Sequence, residues 1–146
     1  MRILHKIALV IVLVAITVGC CNCRSYQKKN RRPLEGTTWQ LVQLEGANLS
    51  AQGEQFTLTL HAEEHRLSGM GACNHLMGEY TLGENRAITF SQIVSTRMAC
   101  PEGDAEERKF IATIESTTHY DMDGPMLMLL SNGELRAILR ALPQAE

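Results

Sequence analysis

The stretch from Phe56 to Leu60 reads Phe-Thr-Leu-Thr-Leu. Apolar and polar side chains alternate there with a period of two, the mark of a strand that buries one face. Glu79–Leu82 and Ala87–Phe90 repeat the pattern more briefly, and the Gly83-Glu84-Asn85 between them is a turn signal. Asp123-Gly124 and Asn132-Gly133 separate three further runs, the last reading ELRAILR. Both dipeptides tolerate the positive φ of a tight reversal, so the final third is predicted to be a three-stranded antiparallel meander.

One segment changes period. After Pro101, Asp104 is expected as an N-cap with Glu107 three residues on, acidic side chains crowd the first turn, and Phe110, Ile111 and Ile114 share a face. This predicts one amphipathic helix lying on the sheet. About 110 residues follow Leu34, enough for a single core without staples. The expected architecture is α+β and mostly β: one domain, a curled antiparallel sheet of seven to eight short strands, half-open and barrel-like, with one helix packed on it.

The N-terminal 33 residues have another character. Arg2 and Lys6 precede twelve residues, Ile7 to Val18, that are apolar except for Thr17, and Gly19-Cys20 follows. That is the layout of an export signal, and the run is short of the roughly 20 residues that a spanning helix takes. Residues 1–19 are expected to be a cleaved lipoprotein-type signal and Cys20 the acylated residue. Cys21 and Cys23 are rivals, and Cys21 would require Cys20 as the small residue before the cut. Residues 20–33 contain Arg24, Lys28, Lys29, Arg31 and Arg32 and read as a lipidated basic tether facing either an anionic membrane surface or solvent. From Leu34 onward, seven Lys and Arg stand against sixteen Asp and Glu, a formal charge of −9. Such an acidic domain offers no footprint for nucleic acid.

Few residues invite catalysis. His61-Ala-Glu-Glu-His65 fits an H-x-x-E-H zinc pattern, but such a pair must sit one turn apart on a helix, and here it falls between two strand-like runs. A polar hairpin loop is the better reading. Cys73, Asn74 and His75 include the residue types of a thiol protease, yet neighbours in sequence cannot converge on one bond. His119 reads as a strand-face residue. Phosphate-cradling and dinucleotide-binding motifs are absent from the sequence. Cys73 and Cys100 are the cysteines beyond the tether; in an exported chain they form a disulfide or remain a pair of buried thiols, and the bridge is the expectation. No cofactor or metal is expected.

Four segments arrive in order: LEGTTWQLVQLEG at 34–46, LSGMGACNHLMGEY at 67–80, STRMACP at 95–101, and a helix leading to MLMLLSNGELRAIL. Together they resemble the META domain family, that of the heat-shock lipoprotein HslJ, over residues 34–143. The resemblance implies a small β-rich fold with one helix in an often lipidated envelope protein, linked in some members to stress or novobiocin tolerance, with no catalytic activity attached. Gly71, Cys73, Asn74, Gly78 and Tyr80 match one signature block; Thr96, Arg97, Met98, Cys100 and Pro101 match the other. Ala72, between Gly71 and Cys73, and Gly103 are the slight departures. The glycines read as a structural corner in which Asn74 bonds its own backbone, and Arg97 would need a partner if buried.

The function expected first is a non-enzymatic, lipid-anchored protein of the bacterial cell envelope, monomeric, whose domain binds or supports other envelope components. The alternative is a small apolar-ligand or lipid binder, with Met122, Met126 and Met128 lining an adaptable cavity inside the curled sheet. A zinc-dependent hydrolase built on His61 and His65 comes third.

Overall fold

The computed structural model describes residues 30–100 and 102–143. Cys20, Cys21, Cys23, the expected signal and most of the expected tether lie outside the described residues, as does Pro101. Among the described residues, no helix is long and apolar enough to cross a membrane.

The elements are β1 (Thr38–Leu44), β2 (Ala47–Asn48), β3 (Thr57–His61), β4 (Arg66–Met70), β5 (His75–Leu82), β6 (Ile88–Ser95), α1 (Asp104–Ser116), β7 (His119–Asp123), β8 (Met126–Ser131) and β9 (Glu134–Ala141), with a 3-10 turn at Glu84–Arg86. All strand pairs are antiparallel, in the order β6-β5-β4-β3-β1-β9-β8-β7, and the two-residue β2 hooks onto β1. The C-terminal meander is β7-β8-β9. Its Asn132-Gly133 turn has positive φ at both residues, 50° and 86°, as a tight two-residue reversal that follows strand twist requires.

The eight-strand path curls into a half-barrel. Its outermost strands, β6 and β7, meet through an antiparallel bridge between Ala87 and His119, and Ile88 N donates to Thr118 O at 3.0 Å. Helix α1 joins these two strands and packs against β6 and β8. Phe110 and Ile114 are fully buried beneath it, with Ile111 half-buried on the same side. Phe110 meets Phe56 edge to face, ring centres 6.0 Å apart, a favoured aromatic geometry.

Inward positions follow the alternation: Leu58 and Leu60 on β3, Leu76 and Tyr80 on β5, Ile88 and Phe90 on β6, Leu127 and Leu129 on β8. Two strands turn a further apolar residue inward by changing phase, Leu44 on β1 and Ile93 on β6. On β1, Trp39 and Leu41 face the core, an extra residue at Val42 slips the register with β9, and Leu44 is thereby buried as well. On β6 the extra residue opposite Gly78 includes Gln92, whose φ is 52°.

Large inward side chains bring polar tips to one end of the half-barrel. Trp39 Nε1 donates to Leu34 O at 2.9 Å, and the Tyr80 hydroxyl donates to Glu35. Gly36 N in turn donates to Leu60 O at 2.8 Å. The segment before β1 therefore closes this end, held by the polar tips of two buried aromatics.

Candidate functional site

Two places gather the residues singled out by sequence. The first is the corner between β4 and β5. Its centre is Glu107, only 4% exposed, which reaches from the first turn of α1 into the loop after β4. Glu107 Oε1 accepts from Asn74 Nδ2 at 2.7 Å; Oε2 accepts the backbone N–H groups of Cys73 and Asn74 at 3.2 and 3.3 Å. Three N–H donors thus satisfy a buried carboxylate. Asn74 completes the knot through Oδ1, which accepts from Thr96 Oγ1 at 2.9 Å and from Met98 N at 2.8 Å. The Asn74 side chain thus ties the two signature blocks to the helix instead of folding back on its own backbone.

Glu107 explains one glycine of the corner, and the approach of its helix to the loop explains another. A Cβ on Gly71 would lie 2.5 Å from Glu107 Cδ, so the carboxylate occupies the space a side chain would need. Gly103 takes φ 85° as the residue before α1 and lies so close to the loop that a Cβ would come within 2.7 Å of Ala72 Cβ. The N-cap is therefore Gly103, and Asp104 opens the helix, its carboxylate pairing with Arg108. Glu107 does not close a capping box, because the corner's donors claim it first.

A disulfide joins Cys73 and Cys100 across the corner, with Cα atoms 6.0 Å apart and both residues half-buried. Asn74 Nδ2 lies 3.4 Å from Cys100 Sγ. Arg97 and Met98 are exposed, Met98 at 55%, so Arg97 needs no buried partner. Gly78 sits in β5 under Ile93, whose Cδ1 would be 2.6 Å from an added Cβ.

Tyr80 lies at the opposite end of β5. Burial raises its pKa well above the ordinary phenol value, and the hydrogen bond to Glu35 and the charge of that carboxylate raise it further. Its ring meets that of His65 edge to face at 5.8 Å.

The second place is a groove of about 750 Å³ whose walls come from the segment before β1, the β3–β4 turn, and β4, β5 and β6. Met77 and Val94 are directly opposed across β5 and β6 and stand 56% and 54% exposed. The lining carboxylates are Glu35, Glu63, Glu64 and Glu79, against the single arginine Arg66. Glu79 accepts from Gln92 Nε2 at 2.7 Å.

His61 and His65 belong to the hairpin linking β3 to β4, where His61 pairs in register with Arg66. His61 Nε2 is 2.7 Å from Ser68 Oγ while the His65 ring turns to Tyr80, so no helix presents the two on one face. Among the described residues, the sulfurs of Cys73 and Cys100, joined in the disulfide, and a carboxylate oxygen of Glu107 lie within 4.8 Å of one another. Met126 and Met128 are half-exposed and alternate with the inward Leu127 and Leu129, so they stand on the outer face of β8. The space between sheet and helix is filled by Trp39, Tyr80, Phe110 and the aliphatic core.

Sequence reasoning did not single out Glu107 as the hub of the corner, nor Met77 and Val94. Met77 carried a readable signal, an apolar residue in the outward phase of β5 between His75 and Glu79. Glu107 carried a misleading one, since an acid three residues after Asp104 has the spacing of a capping box.

A mostly antiparallel half-barrel closed by one helix, with a polar corner binding the helix start to the sheet, defines a small single-domain β-rich class. A META domain family model matches residues 32–143, and the chain belongs to the META domain family. Its fold is similar to the NMR structure of a protein from Burkholderia xenovorans, 25% identical, with a TM-score of 0.60 over 76% of this chain and 85% of that one. A second protein solved by NMR is 19% identical, TM-score 0.58, covering 73% and 90%. The crystal structure of a DUF4847 family protein from Bacteroides vulgatus is 15% identical, TM-score 0.58, covering 77% and 96%. No curated protein sequence matches the chain.

Proposed function

We propose that this chain is a non-enzymatic lipoprotein of the bacterial cell envelope, anchored by a lipid on Cys20, whose META domain binds a cationic, partly apolar segment of another envelope protein in the groove beside β5 and β6. The observation that carries the reading is the pairing of exposed Met77 and Val94 with the carboxylates of Glu35, Glu63, Glu64 and Glu79. Exposed apolar patches bounded by charge suit recognition, and the domain's formal charge of −9 favours a basic partner. The packed space under the sheet supports an outer binding face over an internal lipid cavity. The divergent surroundings of His61 and His65 weigh against the zinc hydrolase. A part in stress or drug tolerance follows from the family resemblance alone.

Two measurements test the reading. An alternating Lys-Leu decapeptide is titrated into the full chain in detergent and followed by NMR, with a Ser-Leu peptide as control. Shifts centred on Met77 and Val94, weakened by salt and by Glu79→Lys, are expected; equal binding of the Ser-Leu peptide, or shifts centred elsewhere, would refute the groove. Mass spectrometry of membrane fractions should find acyl chains on Cys20, and an unmodified Cys20 would remove the anchor.

A further inference from the structure

The corner has a chemistry that its structural role does not use. The two Sγ atoms of Cys73 and Cys100 and a carboxylate oxygen of Glu107 all lie within 4.8 Å of one another. Glu107 Oε2 is 4.0 Å from Cys100 Sγ. The two carboxylate oxygens are not equivalent: Oε1 is held at 2.7 Å by Asn74 Nδ2, whereas Oε2 accepts only long bonds of 3.2 and 3.3 Å and faces the sulfurs. One oxygen is oriented by Asn74, and the other takes a ligand by giving up its two long N–H bonds.

We propose that reduction of the Cys73–Cys100 disulfide converts the corner into a site for a borderline-soft divalent cation of the zinc class, ligated by both thiolates and Glu107 Oε2. With bond lengths of about 2.3 Å to sulfur and 2.1 Å to oxygen, tetrahedral ligation puts sulfur and oxygen about 3.6 Å apart. The present 4.0 Å therefore needs to contract by only a few tenths of an ångström. The sulfurs must separate to about 3.8 Å on the same geometry, which side-chain rotation can supply at a fixed Cα separation of 6.0 Å. Asn74, bonded to the other carboxylate oxygen and adjacent to Cys100 Sγ, would orient the ligands from outside. Three protein ligands leave a fourth position for water.

The chemistry balances with a dithiol as reductant. Its two thiols give up two protons and two electrons and close into a disulfide, the Cys73–Cys100 bond breaks to two thiols, and the cation then displaces both protons. Both cysteines are half-buried rather than sealed, so reductant and cation can reach them.

Cobalt(II) is the probe. The full chain in detergent is titrated in its disulfide form and after phosphine reduction, beside Cys73→Ser and Glu107→Gln chains; the serine variant accounts for metal held by the tether thiols, Cys21 and Cys23 beside the lipid-bearing Cys20. The reduced wild type should take up one more Co²⁺ per chain than reduced Cys73→Ser, with a sulfur-to-cobalt charge-transfer band and an unchanged Trp39 near-ultraviolet dichroism signal. The disulfide form should lack this extra site, and Glu107→Gln should weaken it by about tenfold or more. Equal uptake by reduced wild type and Cys73→Ser would overturn the proposal, as would an unaffected Glu107→Gln site, the same site in the disulfide form, or loss of the Trp39 signal on reduction.

Discussion

The corner and the groove flank the same strands, β4 and β5, yet they treat their polar groups in opposite ways. In the corner, Glu107 and Asn74 are buried, and each polar atom is committed to a partner on another segment. In the groove, Glu63, Glu64, Glu79 and Arg66 remain at the surface, and exposed Met77 and Val94 lie among them. Burial makes the difference energetic: a donor in the corner that loses its acceptor has no ready replacement, whereas a groove side chain exchanges its neighbour for water. Fixed geometry belongs to the first place and an exchangeable surface to the second.

The sharpest way to break this contrast is Glu107→Ala. Three N–H groups lose their acceptor, and the expected loss is about 3–5 kcal/mol in urea unfolding. A loss below 1 kcal/mol would mean that the corner is not held by this carboxylate.

Cys100→Ala tests the covalent half of the same knot. A sequence separation of 27 corresponds to roughly 3–4 kcal/mol of loop-closure entropy in the unfolded chain. Unchanged stability relative to the non-reduced wild type would show that the bridge contributes little.

Tyr80 probes the opposite end of β5. Its folded pKa lies above the unfolded value of 10.0, so the folded state retains the proton that the unfolded state releases. Stability contributed by the neutral phenol is complete below pH 10 and declines as pH rises further. Tyr80→Phe should cost about 1 kcal/mol at neutral pH, the net worth of one hydrogen bond. It should also flatten the decline between pH 10 and 11, and an identical slope in both proteins would remove Tyr80 as its source.

The smallest stability effect is expected at Met77→Ser and Val94→Ser, each within about 0.5 kcal/mol of wild type, as for other surface sites. Their weight should appear instead in the affinity for the Lys-Leu peptide. Losses comparable to those of Glu107→Ala would erase the distinction between the two regions.

Much of the fold was legible because its signals are local. Thr57–His61, Glu134–Ala141 and the Asn132-Gly133 reversal announce themselves through period and turn chemistry. Phe110 and Ile114 mark the buried side of α1. The corner's glycines were readable as a bend, but their reason was not. Gly71 is required by a carboxylate 36 positions further along the chain, and Asn74 bonds to Thr96, Met98 and Glu107. The groove was hidden for the same reason, since Met77 and Val94 become neighbours only when β5 pairs with β6.

The sequence by itself determined which residues extend, which coil, which turn and which side of each element seeks the core, because φ preferences and hydrophobic periodicity act within a few residues. Tertiary structure decided that β1 lies between β3 and β9, that an extra residue at Val42 keeps both Leu41 and Leu44 inside, and that Glu107 serves the sheet instead of its own helix. Alternation specifies a face but not the neighbouring strand. A buried polar group, likewise, takes its partner from whichever distant segment the packed core brings within hydrogen-bond reach.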